Sequence, residues 1–195
     1  MSGQQTFAAP GAGAVPEALM GATLACCGEV GYQKLSTGMI ALRYGGSRSN
    51  FYRYFEGKAA CFEAAYAWKA NQLAGRLLAP SASGGRDLHA ALLTLADFMA
   101  EDPLVARAIL GEALGAGGAV LKTRSEIVLR LASALDAGLR QGADAPPALT
   151  GEFVVSAIEQ LAFRALTKDG PAAFRSETKG LAALVHRLYG LTQDA

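Results

Sequence analysis

Apolar positions recur at spacings of three, four and seven along most of the chain, and no convincing run of period-two alternation bounded by hairpin turns interrupts them. That is the pattern of helices packed on helices. The first predicted helix follows Pro16, a residue suited to a first turn, and carries Leu19, Met20, Leu24 and Cys27 before Gly28 to Gly31 end it. An extended link holding Tyr32 and Leu35 leads to a short second helix, for which Ser36 or Thr37 is the N-cap. Met39, Ile40 and Leu42 supply its apolar side chains, and Gly45 and Gly46 break it. Ser47 caps a third helix containing Phe51 and Tyr52. A fourth runs from about Gly57 toward Leu78, with a stripe of Ala59, Phe62, Tyr66, Leu73 and Leu77 and with Trp68 on a neighbouring face.

The segment PSASGG at 80–85 is a strong break. Beyond it the pattern predicts helices over about 87–100, 103–114, 119–141, 149–167 and 172–191, the last three separated by GADAPPA and KDGP. The final two differ in character. Leu181, Leu184, Val185, Leu188 and Leu191 form a stripe on the last, whereas Phe153, Val154, Val155, Ile158, Leu161, Phe163 and Leu166 spread around most of the helix before it. A helix apolar nearly all round is buried on several sides, and a second subunit is one way to cover it.

Composition adds little until it is resolved along the chain. The 51% apolar content of 195 residues suffices for a sizeable core, and a net charge of +1 says nothing about a polyanionic partner. From Lys34 through Arg53, however, there are four basic residues and no acidic one. A basic patch on a near-neutral chain acts locally. No apolar run is long enough for a membrane span, and the Gly-, Ala- and Pro-rich beginning lacks the charged and apolar regions of a signal peptide, so a cytoplasmic location is expected. Cys26, Cys27 and Cys61 fall on apolar helical positions, and the adjacent pair is wrong for zinc or an ordinary disulfide framework. They read as small buried hydrophobes.

The segment Ser36 to Lys58, STGMIALRYGGSRSNFYRYFEGK, concentrates the chemistry. A basic, hydroxyl-rich, aromatic segment after a glycine turn is what a DNA-reading helix-turn-helix requires. At the start of its second helix Arg48 can pair with guanine, Asn50 with adenine, and Ser49 with several base edges. Lys58 opens the fourth helix, where backbone N–H groups also favour phosphate.

The order helix, helix, glycine turn, helix, YRYF and lysine resembles the tetracycline-repressor (TetR-type) family of bacterial regulators over about residues 15–68. Ile40 and Ala41, the turn glycine Gly45, Ser47 and Arg48, the run Phe51 to Phe55, and the pair Gly31–Tyr32 carry the resemblance. It implies an all-α fold: a tail over 1–14, expected to be disordered, a three-helix helix-turn-helix DNA-binding domain over 15–60, and a C-terminal helical effector-binding and dimerisation domain over 61–195. It implies DNA contacts from Ser36, Thr37, Ser47, Arg48, Ser49, Asn50, Tyr52, Arg53, Tyr54 and Lys58, with Tyr52, Tyr54, Thr37 and Lys58 on phosphates. Phe51 and Phe55 are assigned to the core. It implies a homodimer paired through the last two helices, here Val154, Ile158, Leu161, Leu181, Leu184, Val185 and Leu188. Trp68, Phe98, Met99, Arg107 and Phe163, with His89, are the candidates for an effector pocket. The expected partners are a pseudo-palindromic double-stranded operator and a small molecule that releases a repressor from it.

Two departures stand out. Gly46 occupies a turn position that usually holds a small apolar residue, so a looser turn is expected. Gly38 occupies a position where some members place a base-reading side chain, which throws discrimination onto Arg48, Ser49 and Asn50. Both glycines motivate the alternative that the chain has lost DNA binding and acts as a protein-interaction module. An enzyme is not expected: GAGGAVLKT at 115–123 lacks a glycine directly before Lys122 and a preceding strand, and His89 and His186 have no metal spacing. No cofactor or metal is expected.

Overall fold

The computed structural model describes residues 14–80, 87–139, 147 and 149–191. Among these residues there are nine α-helices and no strand: α1 (Ala14–Val30), α2 (Thr37–Tyr44), α3 (Arg48–Tyr52), α4 (Lys58–Leu78), α5 (Leu88–Glu101), α6 (Pro103–Gly111), α7 (Gly118–Leu139), α8 (Thr150–Arg164) and α9 (Pro171–Leu188). A 3₁₀ turn, Ala113–Gly115, follows α6, and a π turn, Ala165–Asp169, follows α8.

Helix α1 is the hub of the N-terminal part. Its Leu19, Leu24 and Cys27 are fully buried against α2 and α4, and on another side it packs along α6. Gly28 makes the second contact possible. A Cβ there would lie 1.8 Å from the carbonyl oxygen of Leu104, a backbone atom that cannot yield, so the seam between α1 and α6 needs the bare backbone.

Helix α4 runs unbroken from the helix-turn-helix into the C-terminal half, where it packs on α5 and α7. There α5 lies along α9 and α7 along α8. Local chemistry sets the ends. The Asp87 carboxylate accepts from the N–H groups of His89 and Ala90 to start α5, and Asp102 accepts from Val105 N–H at 3.1 Å ahead of Pro103 in α6. Phe62, Met99, Ala106 and Ala162 are buried in one continuous core, and Val154, Val185 and Tyr189 form a second small cluster.

Several boundaries differ from the periodicity reading. Helix α1 begins at Ala14, so Pro16 lies inside the first turn rather than ahead of it. The rest of the expected tail lies outside the described residues, as do most of PSASGG and GADAPPA. Helix α6 stops at Gly111, giving way to the 3₁₀ turn. Leu42, expected on the apolar side of α2, is 82% exposed; two residues on from the fully buried Ile40, it points to the opposite side of the helix.

Candidate nucleic-acid interface and inner cavity

The turn between α2 and α3 is closed by four local bonds. Ser36 Oγ accepts from Met39 N–H at 3.3 Å to start α2, and Ser47 Oγ accepts from Asn50 N–H at 3.2 Å to start α3. Between them Gly45 takes the left-handed conformation, φ +81°, donating to the Leu42 carbonyl at 3.1 Å while Gly46 N–H donates to the Ala41 carbonyl at 2.9 Å. The turn is not left empty at Gly46. The Tyr44 ring occupies the space, so that a Cβ on Gly46 would meet Tyr44 Cδ1 at 2.8 Å. Helix α3 is anchored from beneath by Phe51, which is fully buried and stacks edge-on with Tyr52 and tilted with Phe55.

That anchoring turns the polar residues outward. Ser36, Ser47, Arg48, Ser49, Tyr52, Arg53 and Tyr54 are exposed, and Thr37 and Asn50 are half-buried. The Thr37 and Tyr52 hydroxyls meet at 3.3 Å across the α2–α3 groove. The Arg48 guanidinium lies over Gly38, where a Cβ would come 2.6 Å from Nη2. The side chain missing from α2 is thus replaced, from across the turn, by that of α3. Arg43 is paired with Glu29 at 3.1 Å, whereas Arg48, Arg53 and Lys34 make no ion pair among the described residues. The Arg48 guanidinium, the Thr37 and Tyr52 hydroxyls and the start of α2 therefore meet along the α2–α3 groove, an arrangement that suits phosphates flanking base edges.

Lys58 stands apart from this set. Its ammonium donates to the carbonyls of Tyr32 at 3.1 Å and Gln33 at 3.3 Å and lies 4.9 Å from the Tyr32 ring centroid. The same link is gripped from the other side: Tyr32 N–H donates to Glu112 Oε2 at 2.8 Å, and Gln33 Nε2 donates to the Gly115 carbonyl at 3.2 Å. Lys58 braces this joint between α1, α4 and the end of α6. Sequence reasoning had no means of finding Glu112, about eighty positions away from its partner.

A cavity of about 180 Å³ lies between α4, α5, α6, α7 and α8. Its walls are mostly aliphatic, with Leu73, Leu77, Leu92, Leu131, Leu135 and Val155 among them. The polar corner holds Tyr66, Arg124 and Glu159. Arg124 grips Glu159 bidentately, with Nε 3.0 Å from Oε1 and Nη2 on Oε2. Burial, reinforced by the Glu159 charge and opposed by Arg124, pushes the Tyr66 hydroxyl far above its ordinary pKa and keeps it protonated.

None of the five residues expected to form a pocket lines this cavity. Phe98 and Met99 are buried in the main core, Phe163 covers Gly111, and Trp68 packs half-buried with the Lys69 ammonium near its ring. Arg107 is half-buried on α6, and His89 Nε2 meets Thr178 Oγ1 at 3.3 Å. Large aromatic side chains at helical spacing filled the core, while the hollow is lined by aliphatics. Tyr66 could have been singled out as the hydroxyl in an otherwise apolar stripe.

The seven residues expected at a dimer interface divide. Leu184 and Leu188 are exposed, at 52% and 45%, and Leu161 and Leu181 are half-buried. Val154 and Val185 are buried with Tyr189 inside the subunit, and Ile158 lines the cavity, so these three face inward. Phe153, at 67% exposure, joins the outward apolar set. The three thiols are free and buried, and burial pushes Cys61 up to about 11 and Cys27 up to about 12. No group of three or more His, Cys, Asp or Glu among the described residues is placed to hold a metal ion, and no described helix is long and apolar enough to cross a membrane.

Residues 19–65 match the family described as bacterial regulatory proteins, tetR family. No curated protein matches the chain in sequence. Among solved structures, the fatty acid degradation regulator FadR from Bacillus halodurans is similar at a TM-score of 0.74 and 15% identity, over 97% of this chain and all of that one. FadR from Bacillus subtilis, in complex with stearoyl-CoA, is similar at 0.67 and 16%, over 88% of this chain and 97% of that one. A putative transcriptional regulator from Pseudomonas aeruginosa PAO1 is similar at 0.65 and 24%, over 89% of this chain and 93% of that one. At these identities the likeness is one of fold.

Proposed function

We propose that the chain is a TetR-type transcriptional regulator, a homodimeric cytoplasmic repressor released from its operator by a small molecule; the match of residues 19–65 to the bacterial regulatory proteins, tetR family, supports this reading. In this reading residues 15–60 bind DNA and 61–195 bind the effector and the second subunit. One observation carries the DNA half: Arg48, in no ion pair among the described residues, stands with Ser49 and Asn50 at the outward N-terminal end of a short α3 pinned by Phe51. Those side chains read base edges. The Thr37 and Tyr52 hydroxyls, with Ser36, Ser47, Arg53 and Tyr54, hold phosphates on either side. Lys58 positions this surface by bracing the link ahead of α2.

Leu184, Leu188 and Phe153, flanked by Leu161 and Leu181, form the face that a second copy covers. Two copies related by a two-fold axis match a pseudo-palindrome. The apolar cavity is the effector site, and the binding of stearoyl-CoA by the Bacillus subtilis FadR supports a lipid-sized ligand for this fold. An effector that favours one spacing of the two reading heads shifts the population away from the operator. The rival reading, a protein-interaction module that has lost DNA binding, rests on Gly38 and Gly46; the Arg48 guanidinium and the Tyr44 ring beside those glycines favour the DNA-binding reading over it.

Selection of sites from a random DNA pool by the purified protein tests this directly. A two-fold related consensus is expected, and Arg48→Ala should weaken binding to it by about 1–3 kcal/mol while relaxing preference at one position in each half-site. Failure to enrich any sequence, or equal affinity of the variant and the parent, overturns it.

A further inference from the structure

The cavity also carries information about what fills it. Its described lining bears three charged side chains, Arg124, Glu159 and Asp87. Arg124 is held by both oxygens of Glu159, and Asp87 accepts two backbone N–H groups at the start of α5. Among the described lining residues no cation is left without a counter-charge, and their formal sum is negative. An anionic head drawn into this corner would lie beside Glu159 and lose its hydration without a free positive partner, a costly arrangement.

Tyr66 differs from its neighbours. It is 3% exposed, lines the cavity, and its hydroxyl makes no hydrogen bond among the described residues. No fully buried side-chain oxygen or nitrogen among the described residues lacks a partner, so this unbonded hydroxyl is open to the hollow, where a ligand atom can reach it. Because the phenol stays protonated, it offers a neutral donor.

We propose that the cavity takes an uncharged single-chain lipid with one acceptor oxygen at or near its end, such as a medium-chain ketone or ester, whose oxygen accepts from Tyr66 while its chain lies among the leucines of α4, α5 and α7. The proposal rests on reading this cavity as the effector site, and it separates the chain's ligand from carboxylates and from acyl-CoA.

The test is calorimetric titration of the full-length protein, free of DNA, with 2-undecanone and with undecanoate at pH 7.5. The ketone is expected to bind at least about tenfold more tightly than the carboxylate. Tyr66→Phe should weaken the ketone by roughly three- to tenfold, the worth of one neutral hydrogen bond, and leave undecanoate unchanged. Leu131→Trp, which puts a large ring into the hollow while the Tyr66 hydroxyl is retained, should abolish ketone binding. Undecanoate binding as tightly as the ketone, an unchanged ketone affinity in Tyr66→Phe, ketone binding surviving Leu131→Trp, or no ketone binding to the parent protein each overturns the assignment. Operator binding by the ligand-free protein is measured separately. An operator without ketone binding sinks this ligand class alone, and ketone binding without an operator sinks the regulatory reading.

Discussion

Gly38→Ala separates stability from reading. Gly38 is the second residue of α2, and its φ lies in the ordinary range, so alanine fits the backbone. Exchanging glycine for alanine within a helix stabilises by about 0.5–1 kcal/mol. For a chain of this size that raises the melting temperature by roughly 1–4 °C. The added methyl would sit 2.6 Å from Arg48 Nη2 and 3.0 Å from Nε. These atoms end a flexible side chain, so the fold yields there at little cost, but the guanidinium moves by about 1 Å to regain van der Waals distance. A hydrogen-bond window of about 2.7–3.2 Å does not tolerate such a shift. If Arg48 pairs with a base from this seat, the variant loses much of a contact worth about 1–3 kcal/mol, or roughly 5- to 150-fold in affinity. Fluorescence anisotropy on the selected operator, beside thermal melts of the same preparations, reads both quantities. The expected result is a more stable protein that binds more weakly. A variant that melts higher and binds its operator as tightly as the parent would show that Arg48 does not read DNA from over Gly38.

Lys58→Met removes the donor to two link carbonyls and should cost about 1–3 kcal/mol in denaturant unfolding; the slope of log affinity against log salt should stay unchanged, where a lost phosphate contact would reduce it by about 0.9. Phe153→Asp, at an exposed position, should leave the melt nearly unaltered while sedimentation shows monomers in place of dimers. Unfolding free energy should fall as pH climbs from about 9 toward 11, because the unfolded chain releases thiol protons that the folded chain retains at Cys61. Stability from this source is fully present below the unfolded pKa, and urea titrations of Cys61→Ala should show a shallower alkaline decline.

The helices and the helix-turn-helix geometry were legible because short-range rules govern them. Ser36 and Ser47 cap as hydroxyls three residues ahead of a free N–H, Gly45 supplies the left-handed turn, and Phe51 sits where the period puts a core residue. What the sequence did not disclose depends on distant partners. Lys58 has the charge and helix position of a phosphate ligand, and only the fold brings the Tyr32 and Gln33 carbonyls to it. The hollow is defined by what is missing between five helices, which no periodicity encodes; conspicuous side chains such as Phe98 and Met99 fill the core instead. Likewise Val154 and Val185 have the right period for a partner helix and the wrong side, since Tyr189 closes over them.

The grip on residues 31–33 bears on how freely this reading head can be transplanted. Glu112 and Gly115 hold the link from the end of α6, Lys58 holds it from α4, and Gly28 lets Leu104 ride directly on α1. A chimera cut within α4 would keep the lysine but forfeit the carboxylate, and any graft presenting a bulkier residue than glycine to an α6-like helix would be wedged open. Grafting the head onto a foreign effector half therefore requires two matched acceptors, equivalent to Glu112 and Gly115, and a close backbone seat equivalent to Leu104, and chimeras that carry them should fold where simple fusions fail.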